Sequence, residues 1–343
     1  MQPVRGRGRR PILNIGKNGR IARESYKSSA RANPLGWWKR NQVLTYKLDT
    51  TGTGTKGRTV GYQLGVTDNY SLYADYTYGY DNYGRFTTLS LDNESIPYTY
   101  AYLDDSNHIA SVTGSAAVQL FTYEPYRDHL IDVTTLAGGA TSAQASFVVD
   151  ALGRRTSVMN AGEIFSRYSG GGHHTLCSYN GRSEVTSAQK WTGLNLSDTS
   201  NASALGGRKF DFAFDPIGNR VTSKVDNRQT DYTTNALNQY SSRTVPRAAD
   251  VNGLASGAGS VTVNGVSAAR IGDYSSWAMT ASSNNASWLS TTIAASPGGT
   301  QTRNAYVPPA PETNAYDDDG NLTDHSRWHY TWDAENRLTS MGT

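Results

Sequence analysis

One cysteine, Cys177, stands in the 343 residues. A single thiol excludes any disulfide framework and any zinc centre built on several thiolates. Charge is sparse, with Asp, Glu, Lys and Arg at 18%, and the apolar share of 37% is low for a chain burying one large core. No stretch approaches the roughly 18 consecutive apolar residues of a membrane-spanning helix. The opening MQPVRGRGRRP has no apolar run of the kind a signal peptide requires. Two hydrolase frames, G-x-S-x-G and H-E-x-x-H, are missing as well. What is plentiful is Gly, at 34, and Tyr, at 22. Together they suit a sheet protein with many tight turns.

The turns repeat. YDNYGRFTTL at 80–89, VDALGRRTSV at 149–158, FDPIGNRVTS at 214–223, TNALNQYSS at 234–242, YDDDGNLT at 316–323 and YTWDAENRLTS at 330–340 are copies of one phrase. An aromatic or β-prone residue precedes Asp or Asn. After two further residues comes Gly or Asn, then Arg, Asn or Gln, then a return to apolar residues and Thr. The carrying positions are Tyr80, Asp81, Gly84 and Arg85; Asp150, Gly153 and Arg154; and Phe214, Asp215, Gly218, Asn219 and Arg220. They continue with Asn235 and Asn238; Tyr316, Asp317, Gly320 and Asn321; and Trp332, Asp333, Asn336 and Arg337. Repetition of a short unit marks an array whose units bury surface against their neighbours.

One copy shows the physics. Phe210, Phe212 and Phe214 alternate with Lys209, Asp211 and Ala213, which places the three rings on one face of a strand. Pro216 fixes its own φ, Gly218 or Asn219 can take the positive φ of a tight turn, and Asp215 can accept hydrogen bonds from turn amides. Val221, Ser223 and Val225 begin the next alternation. Each phrase is therefore expected to be a β-hairpin turn with a structural role.

On these residues the chain resembles the Rhs, or YD-repeat, family, whose second name describes Tyr80-Asp81 and Tyr316-Asp317. The best matches cover 75–92, 146–160, 208–245 and 312–343. Tyr102 to Asn107, Tyr123 to Arg127 and Tyr179 to Arg182 look like decayed copies. The resemblance implies an all-β fold, an antiparallel sheet that spirals as an open segment of a hollow shell, with little helix. It implies a secreted or cell-surface setting, as in polymorphic toxins, the C component of insecticidal toxin complexes, or teneurin-like proteins. The family's self-cleavage motif includes a D-P-x-G stretch. Asp215-Pro216-Ile217-Gly218 lies inside an ordinary repeat, so no cleavage role is assigned to it. A C-terminal continuation, with a core segment and toxin cargo, or another chain at an exposed sheet edge, is the partner the resemblance implies.

The rest of the chain divides by composition. Residues 1–47 hold twelve Lys or Arg against one acid, Glu24, and are read as a basic, disordered leader. Trp37-Trp38-Lys39-Arg40 is the one place where nucleic acid contact is conceivable, and a solvated leader is the preferred reading. Residues 48–245 form the repeat sheet, 246–312 a loop-rich insert with a hairpin on Asn264-Gly265, and 313–343 the terminal repeats. A short helix is allowed within 187–206.

Three function classes follow. The leading one is a non-enzymatic structural segment of a toxin-delivery or cell-surface protein, without cofactor, metal or catalytic residue. The second is a carbohydrate-binding or adhesion module using the ladder Tyr73, Tyr76, Tyr78 and Tyr80, although rings on adjacent strands more often pack together. The third, remote, is a glycoside hydrolase using a carboxylate pair. His173, His174 and Cys177 are spaced like metal ligands but lack an evident fourth. The acidic run Asp317 to Asp319 misses the calcium-loop frame at Ala315, which leaves a turn.

Overall fold

The computed structural model describes residues 12–15, 21–26, 42–49, 57–66, 72–91, 96–197 and 199–343. The chain is all-β, with antiparallel pairing between neighbouring strands, and its one helical element among the described residues is the 3-10 turn Glu163–Phe165. It divides into two units, 1–122 with 135–140 and 123–134 with 141–343.

The first unit is a meander. Gln42–Leu48, Thr59–Val66, Leu72–Tyr80, Phe86–Leu91, Tyr98–Tyr102, Ile109–Thr113 and Ala117–Tyr123 each pair with the next in sequence. Alternation drives it: Tyr76, Tyr78 and Tyr80 fall on one face, with Thr77 and Gly79 on the other. Two earlier strands, Ile12–Ile15 and Ile21–Tyr26, pair with each other, and the second pairs with Gln42–Leu48. The reading of 1–47 as a disordered leader does not hold for residues 12–15, 21–26 and 42–47, and the rest of that segment lies outside the described residues. The β-branched Ile12, Ile15 and Ile21 suit short strands, and a neighbouring strand supplies backbone partners that charge composition does not reveal. Trp37 and Trp38 lie outside the described residues.

The second unit continues the pattern through Ala140–Val149, Arg155–Ala161, Gly172–Tyr179, Val185–Thr192, Ala204–Phe214, Arg220–Val225, Arg228–Thr234 and Tyr240–Arg243. No helix occurs among the described residues of 187–206. Val185–Thr192 pairs with strands on both sides, and two-sided pairing outweighs the mixed local propensity there. The sheet then skips the insert. Tyr240–Arg243 pairs with Glu312–Tyr316, placing Arg243 opposite Glu312, and Leu322–His325, Trp328–Trp332 and Leu338–Gly342 follow. Glu312 is only 2% exposed and forms an ion pair with Arg243, which closes the excursion.

The insert is richer in strand than its composition suggests. Ala248–Leu254, Tyr274–Thr280 and Ala269–Ile271 form one sheet, and Val266–Ser267, Ser260–Val263, Ser287–Ser296 and Thr300–Val307 form another. The expected hairpin is present, with Asn264 at φ 50° and Gly265 at φ 79°. Its many Ala and Ser residues mimic loop composition while alternating as strand faces. Leu205, 1% exposed, and Tyr274, 3% exposed, lie where the insert meets the repeat sheet, and Tyr274 donates its hydroxyl to Gly206 O at 2.6 Å.

Candidate functional site: a row of stitched turns

Each repeat closes the same five-residue turn. The residue before Asp or Asn pairs across the ladder with the residue after the fifth turn position: Tyr80 with Phe86, Val149 with Arg155, Phe214 with Arg220, Thr234 with Tyr240, Tyr316 with Leu322 and Trp332 with Leu338. Within the turn, the first residue's amide donates to the fifth residue's carbonyl, and the fourth residue's amide donates back to the first carbonyl. That geometry puts the fourth residue in the left-handed region. Gly84, Gly153, Gly218 and Gly320 have φ of 81°, 78°, 96° and 85°, and Asn238 and Asn336 have 61° and 56°. Gly and Asn are the residues that tolerate it most readily.

The first-position side chain locks the turn. Asp215 Oδ1 accepts the amides of Ile217 at 3.0 Å and Asn219 at 2.8 Å, while Oδ2 accepts Asn219 Nδ2 at 2.9 Å. In Asp81, Asp150 and Asp333 the second oxygen accepts Nε of the fifth-position Arg, at 2.7, 2.7 and 2.8 Å. Asp317 repeats the pattern with Asn321, so the acidic run at 317–319 is a turn. Asn235 Oδ1 likewise accepts the amides of Leu237 and Gln239, while its Nδ2 reverses the second bond by donating to Gln239 Oε1. These bonds favour the ionised carboxylate. Asp150 is held below the ordinary carboxylate range first by the Arg154 amide, Asp317 first by the Asn321 side chain, and Asp333 first by the Arg337 guanidinium.

The fifth position also reaches forward. Arg154 Nη1 donates to Asn180 O at 3.1 Å, Asn219 Nδ2 to Asn238 Oδ1 at 3.3 Å, Gln239 Nε2 to Gly320 O at 3.4 Å, and Asn321 Nδ2 to Asn336 Oδ1 at 2.9 Å. Arg85 donates to Ser106 O in the same way. Where the copies have decayed, an Arg elsewhere in the turn takes over. Arg127 Nη1 reaches Asp150 O at 2.7 Å, and Arg182 reaches the carbonyls of Asp215 at 2.5 Å and Pro216 at 2.6 Å.

The aromatic just before the turn reaches the opposite way. Tyr80 Oη donates to Thr59 O at 2.9 Å, Tyr102 Oη to Phe86 O at 2.6 Å, Tyr179 Oη to Arg155 O at 2.7 Å, Tyr316 Oη to Tyr240 O at 3.0 Å, and Trp332 Nε1 to Leu322 O at 2.8 Å. Four of these acceptors immediately follow the fifth position of an earlier turn, and Thr59 follows Arg58, which closes a longer connection from Asp49. Tyr240 makes the reversed contact, accepting the Arg220 amide at 2.8 Å. Guanidinium groups cover three of these rings: Arg58 over Tyr80 at 4.6 Å, Arg85 over Tyr102 at 4.5 Å and Arg154 over Tyr179 at 4.7 Å. One Arg thus bonds the next turn's backbone while stacking on its ring.

The positions singled out from sequence accordingly gather into turns. Phe214 carries no hydroxyl and takes part through its ladder pairing alone, while Arg220 lies 4.8 Å over the Phe212 ring. Sequence reading placed Tyr102, Arg127 and Tyr179 in decayed copies and Tyr240 within a clear one without revealing the bonds they make, and it did not single out Arg58. The signal available was an Arg within the decayed phrase, at no fixed offset: Arg127 follows Glu124 by three residues and Arg182 follows Asn180 by two.

The remaining candidates separate from this row. His173 and His174, as neighbours on Gly172–Tyr179, point to opposite faces, and Cys177 lies roughly 13 Å along the strand from His173. No group of three His, Cys, Asp or Glu is placed to hold a metal among the described residues. His173 is buried against the rings of Phe165 and Tyr168, and burial, followed by nearby Lys190, lowers its pKa to about 4. The Tyr ladder packs on itself: Tyr62 stacks on Tyr76 at 4.4 Å, and Tyr78 and Tyr80 meet Phe86 edge-on at 5.4 and 5.9 Å. The Tyr73 side chain lies outside the described residues.

No family model matches the sequence, and no curated protein matches it. Among solved structures the chain is similar to the crystal structure of TcdB2-TccC3 without its hypervariable C-terminal region, at 9% identity and a TM-score of 0.34. The match covers 96% of this chain and 20% of that one, so this chain spans about a fifth of its length.

Proposed function

We propose that the chain is a non-enzymatic structural segment of a YD-repeat sheet in a secreted toxin-delivery or cell-surface protein. Its repeats serve to carry the sheet from one turn to the next. The observation behind this reading is the use made of the repeat side chains: the turn Asp carboxylates are occupied by amides and by their own Arg or Asn, and the flanking Tyr, Arg and Asn bond to neighbouring turns. A catalytic carboxylate pair requires one acid kept protonated and one free to act, whereas bonding of this kind holds both ionised. The partners in this reading are a C-terminal continuation with its cargo, or another chain at a sheet edge.

Alanine substitution of Asp81, Asp150, Asp215, Asp317 and Asp333, one at a time, tests it. Lower stability with no activity on generic glycoside substrates in the parent or any variant is the expected result. Turnover by the parent that one substitution abolishes while the protein stays folded would overturn the reading. A glycan array on the parent is expected to be blank, and dose-dependent binding lost in Tyr78→Ala would favour adhesion instead.

A further inference from the structure

Two sheets of the insert face each other across space their side chains do not fill. Facing sheets ordinarily pack about 10 Å apart with interdigitated side chains. Here the inner face of one presents Val251, Gly253 and Ser275, and a cleft of about 620 Å³ opens between them and Val261, Val263 and Ile293 of the other. Cross-strand pairing fixes these faces: Gly253 lies opposite Ser275, Val263 opposite Ile293, and Thr291 opposite Arg303. Gly253 is exposed at the rim of this face, and a Cβ built there would have no heavy atom within 4 Å.

The cleft has a polar end and a polar floor point. Ser275 is 6% exposed, and its Oγ is buried without a hydrogen-bond partner among the described residues. Leaving such a hydroxyl unbonded costs stability, and its burial keeps it from the open space of the cleft. Arg303 lines the cleft from an exposed position and donates to Gln301 Oε1 at 3.2 Å, with no carboxylate at ion-pair distance among the described residues. The one acid lining the cleft, Asp250, is paired with Arg228 at 2.5 Å. No aromatic side chain lines it. That argues against sugar rings or nucleobases, which are held by stacking.

From an aliphatic floor and an exposed guanidinium at its edge with no carboxylate partner among the described residues, we infer that this cleft binds a single-chain aliphatic carboxylate. The chain would lie against Val261, Val263 and Ile293, and the carboxylate would accept from Arg303. The volume is within the range of small-molecule sites, and the inference is independent of the structural role of the repeats.

Calorimetric titration of the full chain with decanoate, below the concentration at which it forms micelles, is the test, with decanol and decyltrimethylammonium as matched probes. The expected result is saturable one-site binding of decanoate, at least tenfold tighter than decanol, with no binding of the cation. Arg303→Gln should weaken decanoate at least tenfold and leave decanol unchanged. Gly253→Leu, which fills open space without a strained backbone, should abolish both while the circular dichroism and melting temperature stay those of the parent. No saturable heat with decanoate, equal binding of all three probes, or unchanged binding in a folded Gly253→Leu protein would each overturn the assignment. Should Gly253→Leu fail to fold, Ala295→Phe fills the cleft from the other sheet and is read in the same way.

Discussion

Substituting Gly218 isolates the backbone term that sets the turn. Its φ is +96°, and a Cβ built there meets only the flexible end of Glu184, Oε1 at 3.4 Å. Space is therefore available, and the penalty comes from conformation. An L-residue in the left-handed region costs roughly 1–2 kcal/mol, and replacing Gly by Ala recovers about 0.4–1 kcal/mol by restricting the unfolded chain. Gly218→Ala should thus destabilise by about 1 kcal/mol. Gly218→Asn should cost less, as Asn238 and Asn336 already occupy the equivalent position with φ of 61° and 56°. Gly218→Val, with its branched Cβ, should cost more than about 2 kcal/mol. Gly181 is the control: it has no contact within 4 Å and no positive φ, so Gly181→Ala should be neutral or stabilise by up to about 1 kcal/mol. Urea denaturation followed by Trp fluorescence reads all four variants. Equal effects of Asn, Ala and Val at 218, or a loss at 181 matching that at 218, would refute the argument.

Three further outcomes are expected. Glu312→Ala should cost about 2–3 kcal/mol, reduced from the fully buried case because Arg243 is 36% exposed and can rehydrate, and calorimetry should show the insert and repeat sheet losing cooperativity. His173 has a folded pKa lowered to about 4, so the unfolded chain takes its proton first. Its contribution is complete above the unfolded value near 6.5 and is lost as pH falls towards 4; its imidazole resonances should not titrate between pH 8 and 5. Asp150, Asp317 and Asp333 have lowered folded pKa values, so their contribution persists above about pH 4 and disappears as pH falls through the lower folded values. Melting temperatures measured from pH 5 to 2 should fall less steeply in Asp150→Asn than in the parent.

Much of this architecture is written locally. Alternation at Phe210, Phe212 and Phe214, and the Asp215 and Gly218 spacing, announce strand, turn and strand, because a hairpin's determinants lie within a dozen residues. The leader strands were hidden because backbone pairing needs a partner that composition does not show. In the insert, alternating Ala, Ser and Thr residues carry too weak an apolar contrast to separate strand from loop. Roles within the turn were only half legible. That Asp150 caps its own turn follows from five consecutive residues, but the reach of Arg154 to Asn180, and of Tyr179 to Arg155, depends on strand pairing between sequentially separate repeats. The insert cleft was invisible, since Gly253 and Ser275 meet only through register.

The central claim is that each turn is held by the one before it, and hydrogen exchange in Arg154→Lys tests it most directly. Lysine keeps the charge near Asp150 and loses the fork that also reaches Asn180 O at 3.1 Å and stacks over Tyr179 at 4.7 Å. The stitch predicts faster exchange both within 150–154 and in the next turn, at the amides of Ser183 and Glu184, which bond to Asn180. The Arg337→Lys control, whose guanidinium bonds only Asp333 and Glu335 among the described residues, should change its own turn alone. Faster exchange confined to 150–154 in Arg154→Lys, with 180–184 as protected as in the parent, would contradict the account.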